Sequence, residues 1–146
     1  MPIKTFRGLM TTQTQDTIVL HTNDGSTGYR IVKFQAIPEK MGDANGEHTL
    51  KIYKIEQTTI DLDVDFSDNT LLGVATVSNS TGGTTYHPRM TVIFDNEIFN
   101  QDIYITHADN AGSAKCNYYI ELEQVKLDLN ENTVATLKDI RNITTP

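Results

Sequence analysis

Three carboxylates stand at alternate positions of one apolar segment, as Asp61, Asp63 and Asp65. On one face of a strand they could bind a hard cation such as calcium, and their spacing resembles the start of an EF-hand loop. Phe66, however, occupies the position where that loop needs a turning glycine, and Leu72 occupies the position of its glutamate. We therefore expect no metal site, and we interpret the carboxylates as a solvated strand face whose charges discourage edge pairing.

The single cysteine, Cys116, is the second candidate for chemistry. A thiol nucleophile needs a base within hydrogen-bond reach and a route to the thiolate. His107 lies across a predicted hairpin and Asn117 is adjacent, so the residue types of a Cys-His-Asn set are present. Since no family signature surrounds the cysteine, we expect a small buried or half-buried thiol at a strand start, without a catalytic role.

The histidines and the glycine motifs add no further site. His21, His48, His87 and His107 show no i, i+2 or i, i+4 pairing, and one cysteine cannot supply a cysteine-rich zinc cage. The sequence has no P-loop, no dinucleotide-binding glycine motif and no nucleophile elbow. We therefore expect no cofactor and no enzymatic activity.

Tyr118 and Tyr119 place aromatic side chains on both faces of one predicted strand. We expect one of them in the core and the other covering a sheet face or meeting a partner. A carbohydrate-binding module, which would stack sugars on Tyr29, Tyr86 or Tyr119, stays open as an alternative function of another class.

Composition limits the partners. The chain has 146 residues, which fits a single domain over residues 1–146. Nineteen acidic residues face twelve basic ones, giving a net charge of -7, so we expect neither nucleic acid nor an anionic membrane as a partner. The chain shows no apolar run of about 18 residues that could span a bilayer, and no secretory signal, so we expect synthesis in a cytoplasm.

The elements that must position these residues are predicted to be strands, because alternation of apolar and polar residues dominates the chain. The strictest case is residues 60–66, predicted as a strand with one buried face. Residues 117–127 are predicted as a second strand, in which a change of phase near Gln124 predicts a bulge or a turn of the strand around an edge. Residues 28–37 and 50–55 have apolar side chains on both faces, so both are expected to be covered on two sides. Shorter strands are predicted at residues 17–22, 71–77, 90–94 and 102–107.

Turn-forming residues separate these segments, and the turn at residues 109–112 predicts a hairpin between two late strands. The pattern predicts an all-β domain, a β-sandwich or jelly-roll-like barrel of about eight strands. A capping box at residues 128–131 precedes one predicted short helix at residues 130–142. Residues 1–15 are a possible arm.

Four stretches carry a resemblance to a known group of proteins: GYRIVKF (28–34), FDNEIFNQDIYIT (94–106), CNYYIELE (116–123) and TLKDIRN (136–142). They resemble small, mostly uncharacterised virion structural proteins of marine tailed bacteriophages, of the decoration type. The likeness spans nearly the whole chain and brings no active site with it. It implies a virion protein that is made in the host cytoplasm.

From the resemblance we expect a capsid decoration (cement) protein that binds the major capsid lattice, as a homo-oligomer and by analogy a trimer. A tail, neck or fibre-associated adaptor is the alternative within the same particle. Binding is expected through residues 1–15, the long loops and the C-terminal tail, where the N-terminal segment could pair with a neighbour as a strand. The expected interface residues are Ile3, Phe6, Leu9, Met10, Tyr86 and Ile140.

Overall fold

The structure of the protein, a computed structural model, describes residues 2–40, 46–78, 89–110 and 114–128. Within these ranges the chain forms eight strands and no helix, so the described residues contain no helix that could cross a membrane. The strands are β1 (Ile3–Met10), β2 (Thr14–Ile18), β3 (Thr27–Pro38), β4 (Glu47–Tyr53), β5 (Leu71–Ser78), β6 (Arg89–Phe94), β7 (Ile103–Asp109) and β8 (Cys116–Lys126).

The strands pair antiparallel in two sheets, a three-stranded sheet of order β1-β8-β3 and a five-stranded sheet of order β2-β7-β4-β5-β6. The predicted all-β domain of about eight strands is therefore confirmed, with the character of a sandwich. The helix predicted at residues 130–142 lies outside the described residues.

The core lies between the two sheets, because each contributes alternate apolar side chains to it. In the three-stranded sheet, β8 buries every second residue from Cys116 to Leu122. In the five-stranded sheet, Leu50 and Ile105 are fully buried. Each buried side chain of this size stabilises the fold by about 1.5–3 kcal/mol, which is why strict alternation survives in these strands.

Strand β3 carries a bulge that changes the prediction for its faces. The register against β8 shifts between Ile31 and Lys33, which leaves Val32 as the extra residue. Tyr29, before the bulge, and Phe34, after it, are both buried and belong to the same core. The expected two-sided cover of residues 28–37 is therefore wrong, since the bulge returns the second half of the strand to the same face.

The bulge lies in β3, and β8 has none near Gln124. β8 itself pairs with β3 without a shift of its own up to Lys126, and the extra residue is Val32 of β3. The change of phase seen in the sequence of β8 thus marks the end of the buried part of the strand. For β4 the expectation of two buried faces is confirmed, since every residue from His48 to Tyr53 is buried.

Residues 60–66, predicted as the clearest strand, form no strand. They belong to the acidic loop, defined here as residues 60–67, between β4 and β5. Three of the four apolar side chains expected in the core are exposed, namely Leu62, Val64 and Phe66, the last by as much as 67%. The fourth, Ile60, is partly exposed.

Local hydrogen bonds of the aspartates explain why this segment is not a strand. The Asp61 carboxylate accepts from the Asp63 amide at 3.1 Å, and the Asp65 carboxylate accepts from the Ser67 amide at 2.9 Å. Such bonds two residues along the chain offer the backbone an alternative to a sheet ladder. The buried Lys51 ammonium fixes the loop, because it donates to Asp61 Oδ1 at 3.0 Å and to the Asp63 carbonyl at 2.6 Å.

The hairpin predicted at residues 109–112 is wrong as well, because β7 and β8 belong to different sheets. Turn-forming residues indicate that the chain reverses, but they do not determine which sheet receives the next strand. The end of β7 and the start of β8 therefore face each other across the core, which brings His107 and Cys116 into the space between the sheets.

Candidate functional site

Three side chains of metal-binding and nucleophilic types meet at one end of the sandwich. They form the His–His–Cys cluster, defined as His48, His107 and Cys116. His48 begins the buried part of β4 and His107 lies near the end of β7, both in the five-stranded sheet, whereas Cys116 opens β8 of the three-stranded sheet. The three residues are 2%, 0% and 0% exposed.

A chain of hydrogen bonds fixes the tautomers of the two imidazoles. His107 Nδ1 lies 2.9 Å from the Thr11 carbonyl oxygen, so this nitrogen carries the proton and donates. His107 Nε2 is then an acceptor in the neutral ring, and His48 Nδ1 donates to it at 2.9 Å. The two rings are stacked with their centroids 5.2 Å apart.

Burial keeps the acceptor nitrogen of His107 unprotonated. Desolvation lowers the pKa of His107 below its ordinary value of 6.5, although the Thr11 carbonyl and the Asp109 charge act in the opposite direction. The ring is therefore neutral at pH 7, and its Nε2 lone pair points into the cluster.

Cys116 is a buried thiol at a strand start, as predicted. Burial, together with the nearby Asp109 charge, raises the pKa of the Cys116 thiol to about 12. At pH 7 only roughly 1 in 10⁵ of such thiols is ionised, so this cysteine is not an activated nucleophile. Its neighbour Asn117 donates to the Ile37 carbonyl at 3.2 Å on the opposite face of the strand, so the Cys-His-Asn set is not assembled.

A buried carboxylate borders the cluster. The Asp109 side chain has 0% exposure, and its Oδ1 lies 3.9 Å from His48 Nδ1. Two backbone amides hold it, since Glu47 N donates to Oδ1 at 3.3 Å and Ala114 N donates to Oδ2 at 3.2 Å.

The ligand-capable atoms of the His–His–Cys cluster all lie within 4.8 Å of one another. Imidazole nitrogen and thiolate sulfur are donors that zinc, cobalt and copper accept. The expectation that no such constellation exists rested on local spacing, whereas His48 and His107 are 59 positions apart. The proximity of His107 and Cys116 was the one signal in the sequence, and nothing in it pointed to His48.

The aspartates of the acidic loop do not converge in this way. Within the described part of the chain, they are not among the groups whose ligand atoms meet at one point. The hydrogen bond from Lys51 lowers the pKa of Asp61, and the hydrogen bond from the Ser67 side chain lowers that of Asp65. These carboxylates are thus ionised and already bonded within their own loop.

Four of the six predicted interface residues lie in β1. Ile3 and Leu9 are exposed by 48% and 47%, whereas Phe6 is partly buried against the core. Met10 is a core residue at 2% exposure, so in this fold it is not accessible to a partner. The remaining two, Tyr86 and Ile140, lie outside the described residues.

Leu9 belongs to a wider surface, the outer sheet face, defined as the solvent side of β1, β8 and β3. Leu9 and Ile37 pair with Asn117 from its two sides, so the two exposed apolar residues flank one position of the central strand. Lys33 Nζ lies 5.7 Å from the centroid of the Tyr119 ring on the same face. Apolar and charged side chains thus alternate across this sheet.

The tyrosines divide as predicted, with Tyr118 buried and Tyr119 partly exposed. Of the three tyrosines considered for sugar stacking, Tyr29 is only 3% exposed, which removes it from that role. Tyr86 lies outside the described residues.

A groove lies at the edge of the five-stranded sheet and has a volume of about 530 Å³. Phe66 of the acidic loop and Ile93 of β6 form apolar walls. A partly buried ion pair also lines it, in which Lys54 Nζ donates to Glu97 Oε1 at 2.7 Å.

No protein-family model matches the chain, and no curated protein shows significant sequence similarity to it.

Proposed function

We propose that this chain is a non-enzymatic structural protein of a virion, and that it acts as a capsid decoration protein on the major capsid lattice. The virion assignment is supported by the resemblance of the four sequence stretches. The assembly role is supported by one structural observation: reactive side chains are enclosed, while large apolar side chains stand on the outer sheet face.

The enclosed cluster argues for a role without turnover. An enzyme nucleophile must reach a substrate and must be ionised or be activated by a base. Cys116 has 0% exposure and its pKa is raised to about 12, so it meets neither condition. The buried histidines are instead engaged with each other and with the Thr11 carbonyl.

The outer sheet face has the composition of a binding surface. Leu9 and Ile37 are 47% and 57% exposed on one side of the sheet, with Tyr119 between charged neighbours. Protein interfaces combine apolar and aromatic side chains with a polar rim, and this face offers both kinds of group. The exposed residue Ile3 extends the same face along β1.

Mass action supplies the mechanism. A protein that binds the assembled lattice and not the isolated subunits stabilises the assembled state in proportion to its binding free energy. Weak contacts that are repeated by the symmetry of the lattice add avidity. A homotrimer would increase the number of such contacts that each assembled molecule makes with the lattice. A tail, neck or fibre-associated adaptor would use the same face, but its copy number would be far lower.

The test is the copy number of the protein in purified virions, measured by quantitative mass spectrometry for the wild type and for surface variants. Leu9→Lys combined with Ile37→Lys places two charges on the outer sheet face and should reduce incorporation by at least ~10-fold, because desolvating them opposes binding. Val19→Lys is the matched control, since Val19 is 67% exposed but lies outside both sheets.

Hundreds of copies in each particle would support the decoration role, and a few copies would point to the adaptor. Absence from the particle, or equal incorporation of the double variant and the wild type, would contradict the proposal. Circular dichroism confirms that each variant is folded before its incorporation into virions is measured.

A further inference from the structure

The His–His–Cys cluster has the composition and the geometry of a metal site that the assembly role does not require. We infer that His48, His107 and Cys116 bind one divalent transition-metal ion of the zinc class, with Asp109 beside them as the fourth ligand. The ion would be structural, since the site is enclosed and four protein ligands would close its coordination.

The distances need small adjustments only. Tetrahedral zinc with nitrogen ligands at about 2.0–2.1 Å and sulfur at about 2.3 Å places neighbouring ligand atoms roughly 3.3–3.6 Å apart. In the cluster, His48 Nδ1 and His107 Nε2 are 2.9 Å apart, and the ligand atoms of His48, His107 and Cys116 lie within 4.8 Å of one another, while Asp109 Oδ1 lies 3.9 Å from His48 Nδ1. Shifts of about 1 Å or less would bring the His48, His107 and Cys116 ligand atoms to that geometry, and Asp109 would have to turn toward them to complete it.

The surroundings already orient the ligands. Metal-binding histidines characteristically donate their second ring nitrogen to a carbonyl or a carboxylate, and His107 Nδ1 donates to the Thr11 carbonyl at 2.9 Å. The Asp109 carboxylate is held by the amides of Glu47 and Ala114. Such outer contacts fix the direction of the lone pairs before any ion arrives.

Charge favours an ion at this position. The Asp109 side chain is fully buried, and a buried charge is costly unless it is compensated. A divalent ion together with the Asp109 carboxylate and a Cys116 thiolate gives a neutral group. The ion thus compensates a negative charge that the fold has already buried.

Binding requires one proton to leave and involves no change of oxidation state. The Cys116 S–H bond breaks, its proton passes to solvent, and a metal–sulfur bond forms. His48 must change tautomer: its Nδ1–H bond breaks, a proton is taken up at Nε2 by exchange with solvent, and Nδ1 then binds the ion, so this ring releases no net proton. His107 binds through Nε2, the nitrogen that accepts from His48 in the metal-free protein.

The ion would connect the two sheets, because the histidines belong to the five-stranded sheet and the cysteine belongs to the three-stranded one. With one cysteine, the chain cannot form an internal disulfide. A metal that binds the folded state alone would stabilise the sandwich by mass action.

Cobalt(II) is the probe for the test, used on the full chain after treatment with a chelator. A 1:1 complex with tetrahedral visible bands and a near-ultraviolet thiolate-to-cobalt band is expected, and that band can arise only from Cys116, because it is the one cysteine. Cys116→Ser should abolish the near-ultraviolet band. Each of the single variants Cys116→Ser and His107→Gln should weaken cobalt binding by at least ~10-fold. His21→Gln is the matched control, since His21 is exposed and distant in sequence, and it should bind as the wild type does.

A wild-type protein that shows no thiolate band at saturating cobalt would overturn the inference, as would a band that Cys116→Ser leaves unchanged. Circular dichroism establishes that each variant is folded. If the serine variant does not fold, the wild-type spectrum still decides, and zinc should then displace cobalt and raise the melting temperature over that of the chelated protein.

Discussion

The acidic loop and the His–His–Cys cluster both hold three side chains that can bind a metal, and they behave in opposite ways. Asp61, Asp63 and Asp65 are close in sequence, exposed and bonded to their own loop. His48 and His107 are 59 positions apart, buried and in contact. Nearness along the chain therefore did not produce convergence, whereas the packing of two sheets did.

The difference has an energetic origin. Exposed carboxylates are well solvated, so the loop gains little by bringing them together and gains more by hydrogen bonds to local amides. Buried polar groups must instead find partners, because each one left without a hydrogen bond costs about 1–3 kcal/mol. The core thus forces His48 and His107 into a defined hydrogen-bonded arrangement that the loop does not need.

The largest expected effect concerns access to the Cys116 thiol. Because the thiol has 0% exposure, a thiol reagent should react only through opening of the fold, at least ~10³-fold more slowly than in urea-unfolded protein. The measurement is the rate of modification by a chromogenic disulfide reagent in native and unfolded chelated protein. Equal rates would show that the cluster is open to solvent.

Next in size is His107→Ala, measured by urea unfolding in the presence of chelator. The substitution removes the acceptor of the His48 Nδ1 hydrogen bond and one of two donors to the Thr11 carbonyl, and it opens a cavity, so unfolding should become about 3 kcal/mol easier. His21→Ala is the control, and its exposed contact with Asp102 should contribute about 1 kcal/mol or less. Equal losses in the two variants would contradict the contrast between buried and exposed groups.

A smaller effect is expected for Lys51→Met, which keeps the apolar stem and removes the ammonium that fixes the acidic loop. Losing its bonds to Asp61 and to the Asp63 carbonyl should reduce the free energy of unfolding by about 1–2 kcal/mol. Limited proteolysis should then cut residues 60–67 faster than in the wild type. Lys33→Met, which changes an exposed lysine, serves as the control, and unchanged proteolysis in the Lys51 variant would be evidence against the anchor.

The smallest effect is expected for Asp61→Asn, and it should depend on pH. The hydrogen bond from Lys51 lowers the pKa of Asp61 below its ordinary value of 3.8. A carboxyl whose pKa is lowered by folding contributes stability that is fully present above its ordinary pKa. That contribution is lost as the pH falls through the lowered pKa of the folded state. Urea unfolding at neutral and strongly acidic pH should therefore show a small difference from the wild type that disappears in acid, and a difference that grows in acid would refute the assignment.

Alternation in the sequence predicted a strand well where it reflects a sheet with one buried face, as in β8. It failed at residues 60–66, because aspartate side chains bond the neighbouring backbone and compete with a sheet ladder. It also misread β3, where a single extra residue, Val32, reverses the faces and no local signal announces it.

For the candidate site, the sequence predicted what depends on neighbouring residues and missed what depends on how distant strands pack together. The sequence placed a buried thiol at Cys116 and noted His107 as a possible neighbour, although for a hairpin that does not form. It could not supply His48 or Asp109, because their place in the cluster depends on which sheet each strand joins. Turn residues and periodicity do not carry that information.

The contrast between the two regions is tested most directly by the position of an ion in crystals of the zinc-loaded full chain, located by anomalous diffraction at the zinc absorption edge. The expected result is one peak within coordination distance of His107 Nε2 and Cys116 Sγ, between the two sheets. A peak on Asp61, Asp63 or Asp65 in place of the cluster, or no protein-bound peak at all, would contradict it.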